Sequence, residues 1–183
     1  LEMIGNNSFN GCYSLIKISI PKSLKYIREK AFYDCKNLIS IEIEDDSELI
    51  EIGSFAFGLT KIEQLNIPSK LEKLDDQSLS EMHQLKSISI SPKNQNFKFI
   101  ENKYLISKSE SKTTEENSKE ENTYDTLIFS PRDIEEAIIP SEIKTISSFV
   151  FEKCSKLQKI DFHEHSQLKN IEKNAFNKCS SLI

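Results

Sequence analysis

Four cysteines are the residues whose side chains are best suited to chemistry. They are Cys12, Cys35, Cys154 and Cys179, and each stands alone rather than in a C-x-x-C pair. Zinc sites and redox-active dithiols usually need such paired spacing, so the pattern favours buried free thiols over a metal centre. Disulfides between Cys12 and Cys35 or between Cys154 and Cys179 are the alternative, because each pair occupies one position of neighbouring repeats.

Two histidines and a glycosylation sequon are the other features with chemical potential. His163 and His165 flank Glu164, but no further ligand follows at a metal-site spacing, so we expect these residues in a solvated turn. Asn6 begins the triplet Asn-Asn-Ser, which is an acceptor sequence for glycans in secreted proteins. The sequence therefore predicts neither a metal ion nor any other cofactor.

No motif in the chain indicates catalysis. There is no G-x-S-x-G motif, and only four glycines are available to form a phosphate-binding loop. A net charge of -5 with interspersed Lys and Glu argues against nucleic-acid binding, which needs a concentrated basic face. The apolar stretches are far shorter than the roughly 18 residues of a membrane span, and the N-terminus lacks a signal-peptide layout. We expect a folded, non-enzymatic protein without a membrane segment in this chain.

One sequence template recurs along the chain and organises it. Each unit opens with two aliphatic residues three positions apart, and an apolar residue follows the second of them five positions later. A small or medium-sized residue precedes this apolar residue, and Cys or Met follows it three positions later. The third unit is the exception, because it is one residue short at this point. Stacked units would align these apolar residues in an interior column, which comprises Phe9, Phe32, Phe57, Leu79, Phe151 and Phe176.

Each unit closes with an L-x-x-I-x-I segment, whose last two apolar residues alternate as in a β-strand. Pro21 and Pro68 directly follow two of these segments, where a residue without an N–H ends strand pairing. The first three units are 23, 25 and 22 residues long, which is within the range of leucine-rich repeats. A unit this short cannot bury its own apolar face, so the units must stack as a solenoid.

The predicted fold class is α/β: parallel strands on the concave side and short helical turns, formed by the A-F-x-x-C segments, on the other side. Curvature would align the outward strand positions into one extended face. Their small polar and charged side chains, without an aromatic cluster, predict a wet protein-binding surface, and plain solvation is the alternative. The candidate residues are Lys17, Ser19, Ser40, Glu42, Gln64, Asn66, Ser87, Ser89, Lys159 and Asp161.

The middle of the chain interrupts the repeat. Residues 107–123 include no aliphatic or aromatic side chain, so burial cannot offset the entropy of ordering them, and we expect a disordered loop. The flanking runs 104–106 and 126–129 are strand-like, which predicts a hairpin insertion with this loop at its tip. Because the chain opens and closes within a unit, residues 1–183 are expected to form a single solenoid from a longer array.

These motifs resemble those of the BspA-like leucine-rich-repeat family. The pattern A-F-x-x-C-x-x-L-x-x-I-x-I stands nearly intact at residues 31–43. A longer family unit, N-x-N-F followed by G-x-L-Y and L-I-x-Y-P, is similar to residues 94–97, 101–106 and 127–131, although Lys103 stands where the family usually has Gly. The resemblance implies a right-handed solenoid without catalytic activity.

The resemblance also implies a cell-surface or extracellular protein that adheres to host matrix proteins, host cells or other microbes. The alternative is an intracellular leucine-rich-repeat scaffold for protein–protein interaction, because four buried-type cysteines and a surface rich in Lys and Glu suit a reducing cytosol. The expected partner is a protein in both cases.

Deletion of Lys108–Asn122 tests the hairpin-tip interpretation. A polar insertion at a hairpin tip contributes no core, and its closure entropy grows slowly with length, so the shortened chain should unfold at nearly the temperature of the intact chain. Thermal unfolding followed by circular dichroism measures this temperature. A large fall would show that the segment packs on the solenoid.

Overall fold

The computed structural model describes residues 1–75, 77–101, 103–108 and 123–183, which coil into a β-solenoid of about 7 turns. All regular elements within these ranges are short β-strands. In chain order the strands are β1 (Met3–Ile4), β2 (Lys17–Ser19), β3 (Tyr26–Ile27), β4 (Ser40–Glu42), β5 (Glu51–Ile52), β6 (Gln64–Ile67), β7 (Lys73–Leu74), β8 (Ser87–Ile90), β9 (Phe97–Ile100), β10 (Tyr104–Lys108), β11 (Tyr124–Phe129), β12 (Glu136–Ile139), β13 (Thr145–Ile146), β14 (Lys159–Phe162) and β15 (Asn170–Ile171).

The aliphatic pairs that open the units form the first row of strands. β1, β3, β5 and β7 pair in parallel, in that order, as a four-stranded sheet. The register places Ile4, Ile27, Ile52 and Leu74 beside one another, and Ile27 and Ile52 are fully buried. Equivalent side chains therefore stack into a continuous column, as the spacing of the opening pair predicts.

The L-x-x-I-x-I segments, together with Glu136–Ile139, form a second row, which consists of the parallel two-stranded sheets β2–β4, β6–β8 and β12–β14. Successive side chains in these strands alternate between core and solvent. In β6, for example, Leu65 and Ile67 are buried, whereas Gln64 is exposed. The parallel strands and their stacking in successive turns confirm the solenoid prediction.

The segments between the two rows are turns, and the prediction of short helical turns there is wrong: the described residues include no helix. In the second unit Lys30 and Asp34 adopt left-handed backbone with φ of 53° and 59°. An α-helix needs right-handed torsions throughout, so a left-handed residue at every fourth position prevents one from forming. The same spacing recurs at Asn7 with Gly11, Phe55 with Leu59, Phe149 with Lys153 and Asn174 with Lys178.

Backbone hydrogen bonding explains this conformation. The N–H groups of Lys30, Phe32 and Asp34 donate to carbonyl oxygens of the next unit at 2.8 to 2.9 Å. The N–H groups of the intervening Ala31 and Tyr33 donate instead to carbonyl oxygens three residues earlier in the chain. Alternate donors thus serve the neighbouring turn, whereas a helix directs every donor to the carbonyl four residues back. The turn segments consequently form a third hydrogen-bonded row along the solenoid.

The predicted phenylalanine column is present, and its inner members are fully buried, whereas Phe9 in the first turn is 36% exposed. Phe32 lies between Phe9 and Phe57, with ring centroids 5.1 and 5.6 Å away and nearly parallel planes. Phe151 and Phe176 stack in the same way at 5.0 Å in the last units. Parallel stacking follows from the repeat itself, because equivalent residues of successive turns share one orientation.

The predicted hairpin insertion is also present. β10 and β11 pair antiparallel, with Leu105 opposite Phe129, and β9 adds a third antiparallel strand that the sequence pattern did not predict. β11 then pairs in parallel with β13, and β13 with β15, so the insertion joins the first-row sheet of the last units. Of the predicted loop, Ser107 and Lys108 belong to β10, and residues 109–122 lie outside the described residues.

Strand β10 separates two hydrophobic cores. Leu105 packs in the first core, which includes buried residues from Ile4 to Ile88, whereas Tyr104 and Ile106 pack in the second. Successive side chains of a strand point to opposite faces, so one strand contributes to both cores. The insertion is thus an internal partition of the solenoid and not only a surface appendage.

Replacement of Phe32 by Ala tests the aromatic column. Phe32 is fully buried and stacked on both sides, so we expect Phe32→Ala to lower the free energy of unfolding by roughly 3–5 kcal/mol. Phe162 is 46% exposed, and Phe162→Ala is the matched control with an expected loss below about 1 kcal/mol. Chemical denaturation measures both values, and equal losses would contradict the assignment of the column to the core.

Replacement of Lys30 by Gly tests the left-handed turns. Left-handed backbone costs a non-glycine residue about 1–2 kcal/mol of steric strain. Glycine avoids this strain but loses more conformational entropy on folding, at a cost of roughly 0.5–1 kcal/mol. Lys30→Gly should therefore stabilise the protein by up to about 1 kcal/mol.

Lys36→Gly is the control, because Lys36 has an ordinary backbone conformation and comparable side-chain contacts. Each lysine makes one exposed ion pair, with Glu29 for Lys30 and Asp34 for Lys36, and each lies over one aromatic ring. Lys36→Gly should destabilise the protein by roughly 0.5–1 kcal/mol. Equal effects of the two changes in chemical denaturation would show that the left-handed conformation stores no strain.

Candidate functional site

The ten predicted binding residues lie on the second row of strands, and they are here called the strand face. All ten are exposed or half-buried. The residues between them point into the core: Ile41, Leu65 and Ile88 are 7%, 1% and 4% exposed. The alternation of the strands therefore places the candidate side chains on the protein surface, and their role in binding stays a prediction.

The structure brings the strand face together in three groups, one on each two-stranded sheet. The register gives the neighbours Lys17 with Ser40, Ser19 with Glu42, Gln64 with Ser87, Asn66 with Ser89, Lys159 with Glu136 and Asp161 with Ile138. Within the described residues, β4 is not paired with β6, nor β8 with β12. The strand face is thus three polar patches along the solenoid and not one uninterrupted sheet surface.

Hydrogen bonds connect the side chains within these patches. The Ser19 hydroxyl donates to the Glu42 carboxylate, and the Ser89 hydroxyl donates to Asn66 Oδ1 at 3.1 Å. The Asn66 amide in turn donates to the Ile43 carbonyl at 3.0 Å, which links the second patch to the first. Side chains held in this way lose less conformational entropy on binding, so the surface is partly preorganised.

The third patch is held by an ion pair. Lys159 Nζ lies 2.7 Å from Asp161 Oδ2, and the hydrogen bond to this carboxylate raises the pKa of Lys159 above its usual value. Both side chains are well exposed, at 63% and 48%, so water and salt screen the pair. Such an exposed ion pair adds little to the stability of the fold, and its main effect is to place one positive and one negative charge on the surface.

A groove of about 800 Å³ crosses the strand face between β4 and β6. Exposed Ile39, with buried Ile41 and Leu65, gives it an apolar strip, and the other lining residues are polar. It opens beside the third unit, which is one residue short, and where the row of paired strands is interrupted. The residues of the strand face that line it are Ser40, Gln64, Asn66 and Ser89.

Four further residues line this groove and were not predicted. Ile39, Lys61, Glu63 and Gln84 surround the same space as the strand-face residues. Ile39 and Glu63 share one position of the template, directly after the first apolar residue of L-x-x-I-x-I. The repeat predicts that this position is exposed, so an isoleucine here is unusual. Ile39 is therefore the sequence signal that could have identified this side of the groove.

The four cysteines are free thiols. Cys35 and Cys154 are buried, and the thiols of Cys35 and Cys179 donate to the carbonyl oxygens of Phe9 and Phe151 at 3.0 Å. Burial raises the pKa of Cys154 to about 11. A protonated thiol is a poor nucleophile and a poor metal ligand, so Cys154 acts as a core residue. Cys12 and Cys179 are half-buried and pack against the two hydrophobic cores.

The histidine pair and the sequon lie on the surface. His165 is 79% exposed, its Nε2 lies 3.7 Å from Glu164, and its backbone N–H donates to His163 Nδ1. Asn6 is exposed and lies next to the first turn segment. Among the residues that the structure describes, no cluster of three or more His, Cys, Asp or Glu side chains is placed to hold a metal ion, and no helix is long and apolar enough to cross a membrane.

Comparison with protein families identifies the repeat. The family model for the BspA type leucine rich repeat region matches in 6 copies, over residues 2–122 and 122–183. The chain belongs to the BspA-type leucine-rich-repeat family. A search of the curated proteins finds no significant match.

Several solved structures are similar to this chain in fold. The pneumococcal vaccine antigen PcpA superposes with a TM-score of 0.82 at 26% identity, over 100% of this chain and 41% of that chain. A leucine rich cell surface protein from Faecalibacterium prausnitzii gives 0.75 at 21% identity, over 97% and 49%. A leucine-rich repeat protein from Eubacterium ventriosum gives 0.71 at 20%, over 96% and 48%. The chain therefore spans less than half the length of each of these structures.

Membership of the BspA-type family narrows the class of activity. Leucine-rich-repeat families are generally non-enzymatic modules that bind proteins. The BspA-type units of this chain place small polar and charged side chains on a row of parallel strands, with a groove across it. The surface is open and offers many hydrogen-bonding groups, features that protein-binding surfaces share.

Proposed function

We propose that this chain is an adhesion module of a cell-surface protein, and that the strand face binds a protein on a host cell or in the extracellular matrix. The observation that carries the proposal is the groove of about 800 Å³ on the strand face, with its apolar strip and its rim of hydrogen-bonding side chains. An extended protein segment can bury its side chains against Ile39 and Ile41 and satisfy its polar groups at the rim.

The known relatives support the surface location. PcpA is named as a vaccine antigen and the Faecalibacterium prausnitzii protein as a cell surface protein, and both share the solenoid. This support concerns proteins of which the chain spans less than half, so the location of the whole protein is part of the proposal.

The competing function is an intracellular scaffold, and the four free thiols are the observation that favours it. Free thiols are weak evidence for an intracellular location in this protein. Burial raises the pKa values of Cys35, Cys154 and Cys179, so little thiolate is available for oxidation in either location. Antibody labelling of intact and permeabilised source cells separates the two functions. Labelling that requires permeabilisation would support the scaffold.

A charge-swapped strand face tests the binding proposal. The quadruple variant Lys17→Glu, Glu42→Lys, Lys159→Glu and Asp161→Lys reverses the charge pattern of two patches while the net charge stays constant. We expect it to lose adhesion to immobilised matrix proteins or cultured host cells by roughly tenfold or more, whereas each single change weakens adhesion only modestly, because the partner contacts several repeats. Plate-binding and cell-adhesion assays measure these effects, with circular dichroism to verify the fold.

A second quadruple variant controls for general charge effects. Glu2 with Lys25 and Glu48 with Lys70 are exposed ion pairs beside the first row of strands, at 3.1 and 2.6 Å. Exchanging Lys for Glu and Glu for Lys in both pairs makes two reversals of each sign, as in the strand-face variant, but away from the strand face. This control should adhere like the natural chain.

The groove itself needs its own variant, because none of the four substituted strand-face residues lines it. Lys61→Glu with Glu63→Lys reverses two exposed charges of the groove lining at constant net charge and should also weaken adhesion. Unchanged adhesion of both variants would place the binding surface elsewhere on the solenoid.

A further inference from the structure

The inserted hairpin creates an irregular junction in the solenoid. After β11 the chain runs through Ser130–Glu135 directly to β12, without the A-F-x-x-C segment of the other units. The turn segment of the fourth unit therefore meets that of the sixth, and Lys153 Nζ lies 3.1 Å from His83 Nε2 although 70 positions separate the two residues. Arg132 lies at this junction, where it donates to the Val150 carbonyl at 2.6 Å.

A groove of about 320 Å³ opens at this place and is here called the junction groove. Its charged lining is mainly basic, in a chain whose net charge is -5. The basic groups come from both turn segments and from the link between them, so they converge only in the folded protein. The lining consists of His83, Gln84, Leu85, Lys86, Arg132, Asp133, Lys153, Ser155 and Lys156.

Most of this positive charge is not neutralised. Lys86 makes an ion pair with Glu63 at 3.0 Å, and Asp133 is the one carboxylate in the lining. Within the described residues, neither Arg132 nor Lys153 nor Lys156 has a carboxylate oxygen within ion-pair distance. Burial lowers the pKa of His83, and the nearby positive charges of Lys153 and Arg132 lower it further, so the ring is neutral at neutral pH. The positive charge of the groove therefore comes from Arg132 and the lysines.

Two buried donor or acceptor atoms at the junction lack a partner in the protein. Arg132 Nε and His83 Nδ1 are inaccessible to solvent and make no hydrogen bond. Buried polar atoms are normally hydrogen-bonded, and unpaired ones near a functional surface require an explanation. For Arg132 this means that one donor of a charged guanidinium has no acceptor in the protein, and a bound anion at the groove would compensate this positive charge together with that of Lys153 and Lys156.

We propose that the junction groove binds one oxyanion group of the sulfate or phosphate class. Arg132, Lys153 and Lys156 provide the positive charge, and a tetrahedral group presents enough oxygen atoms to accept hydrogen bonds from several of them at once. A guanidinium that is already held by a backbone carbonyl needs little further ordering to bind a ligand, which favours a defined site over diffuse attraction. This site is distinct from the strand face, although Gln84 lines both grooves.

The lysines are the residues to change, because Arg132 also supports the backbone of the sixth unit through Phe149 and Val150. Lys156 is exposed and makes no ion pair or side-chain hydrogen bond in the described part of the chain, so Lys156→Gln leaves the fold intact. The double variant Lys153→Gln with Lys156→Gln removes two of the three unpaired cations. The control is Lys169→Gln with Lys173→Gln, two exposed lysines of the last unit that bring the same change in net charge.

Isothermal titration calorimetry with three probes tests the proposal: inorganic sulfate, inorganic phosphate and a sulfated heparin hexasaccharide. We expect saturable one-to-one binding of at least one probe to the natural chain, roughly tenfold or greater weakening in the double variant, a smaller loss in Lys156→Gln, and no loss in the control. Tighter binding of the hexasaccharide than of both ions would identify a glycan sulfate as the source, and equal binding would identify a free ion.

Two outcomes would overturn the proposal. One is that no probe binds the natural chain in a saturable way, and the other is that the control loses as much affinity as the double variant, which would indicate attraction to net charge only. The strand-face variants serve as a further reference. Their loss of adhesion with retained oxyanion binding, or the reverse, would separate a failure of this site from a failure of the proposed adhesion.

Discussion

The in-register stacking of successive turns is the constraint on which the rest of this structure depends. Each turn gives alternate backbone donors to the next one, and each core residue packs against its equivalent in the neighbouring units, as Phe32 packs between Phe9 and Phe57. A unit of this size cannot bury its own apolar side chains, so no turn is stable alone. The strands are consequently only two to six residues long, because the neighbours and not the strand length provide the stability.

This constraint determines how much of the fold the sequence predicts. The columns follow from spacing alone, since Ile27 and Phe32 recur at fixed offsets and both are fully buried. The conformation of the A-F-x-x-C segment does not, because Lys30 and Asp34 are not residues whose type demands a left-handed backbone. There the hydrogen-bonding requirement of the neighbouring turn overrides local preference. Strand β9 was likewise missed, since it depends on pairing with β10.

In the candidate site, too, the sequence predicts some features and not others. Alternation along β4 and β6 is enough to predict that Ser40 and Gln64 face outward, and both line the groove. The groove itself depends on the missing pairing between β4 and β6, which the sequence indicates only as one absent residue in the third unit. A periodic template predicts where side chains point, and it does not predict the depth of a surface where the period fails.

Deviations from the repeat therefore supply the two grooves on which both proposals rest. Regular stacking leaves a surface of small, similar side chains, whereas the short third unit opens a groove and the hairpin insertion brings His83, Arg132 and Lys153 together. The hairpin can do this without dividing the molecule, because β10 contributes to both cores and β11 pairs with the next regular strand. Strand pairing with the following units is thus preserved while the surface gains a polar junction. In a solenoid, an irregularity that keeps the columns in register changes binding properties at little cost in stability.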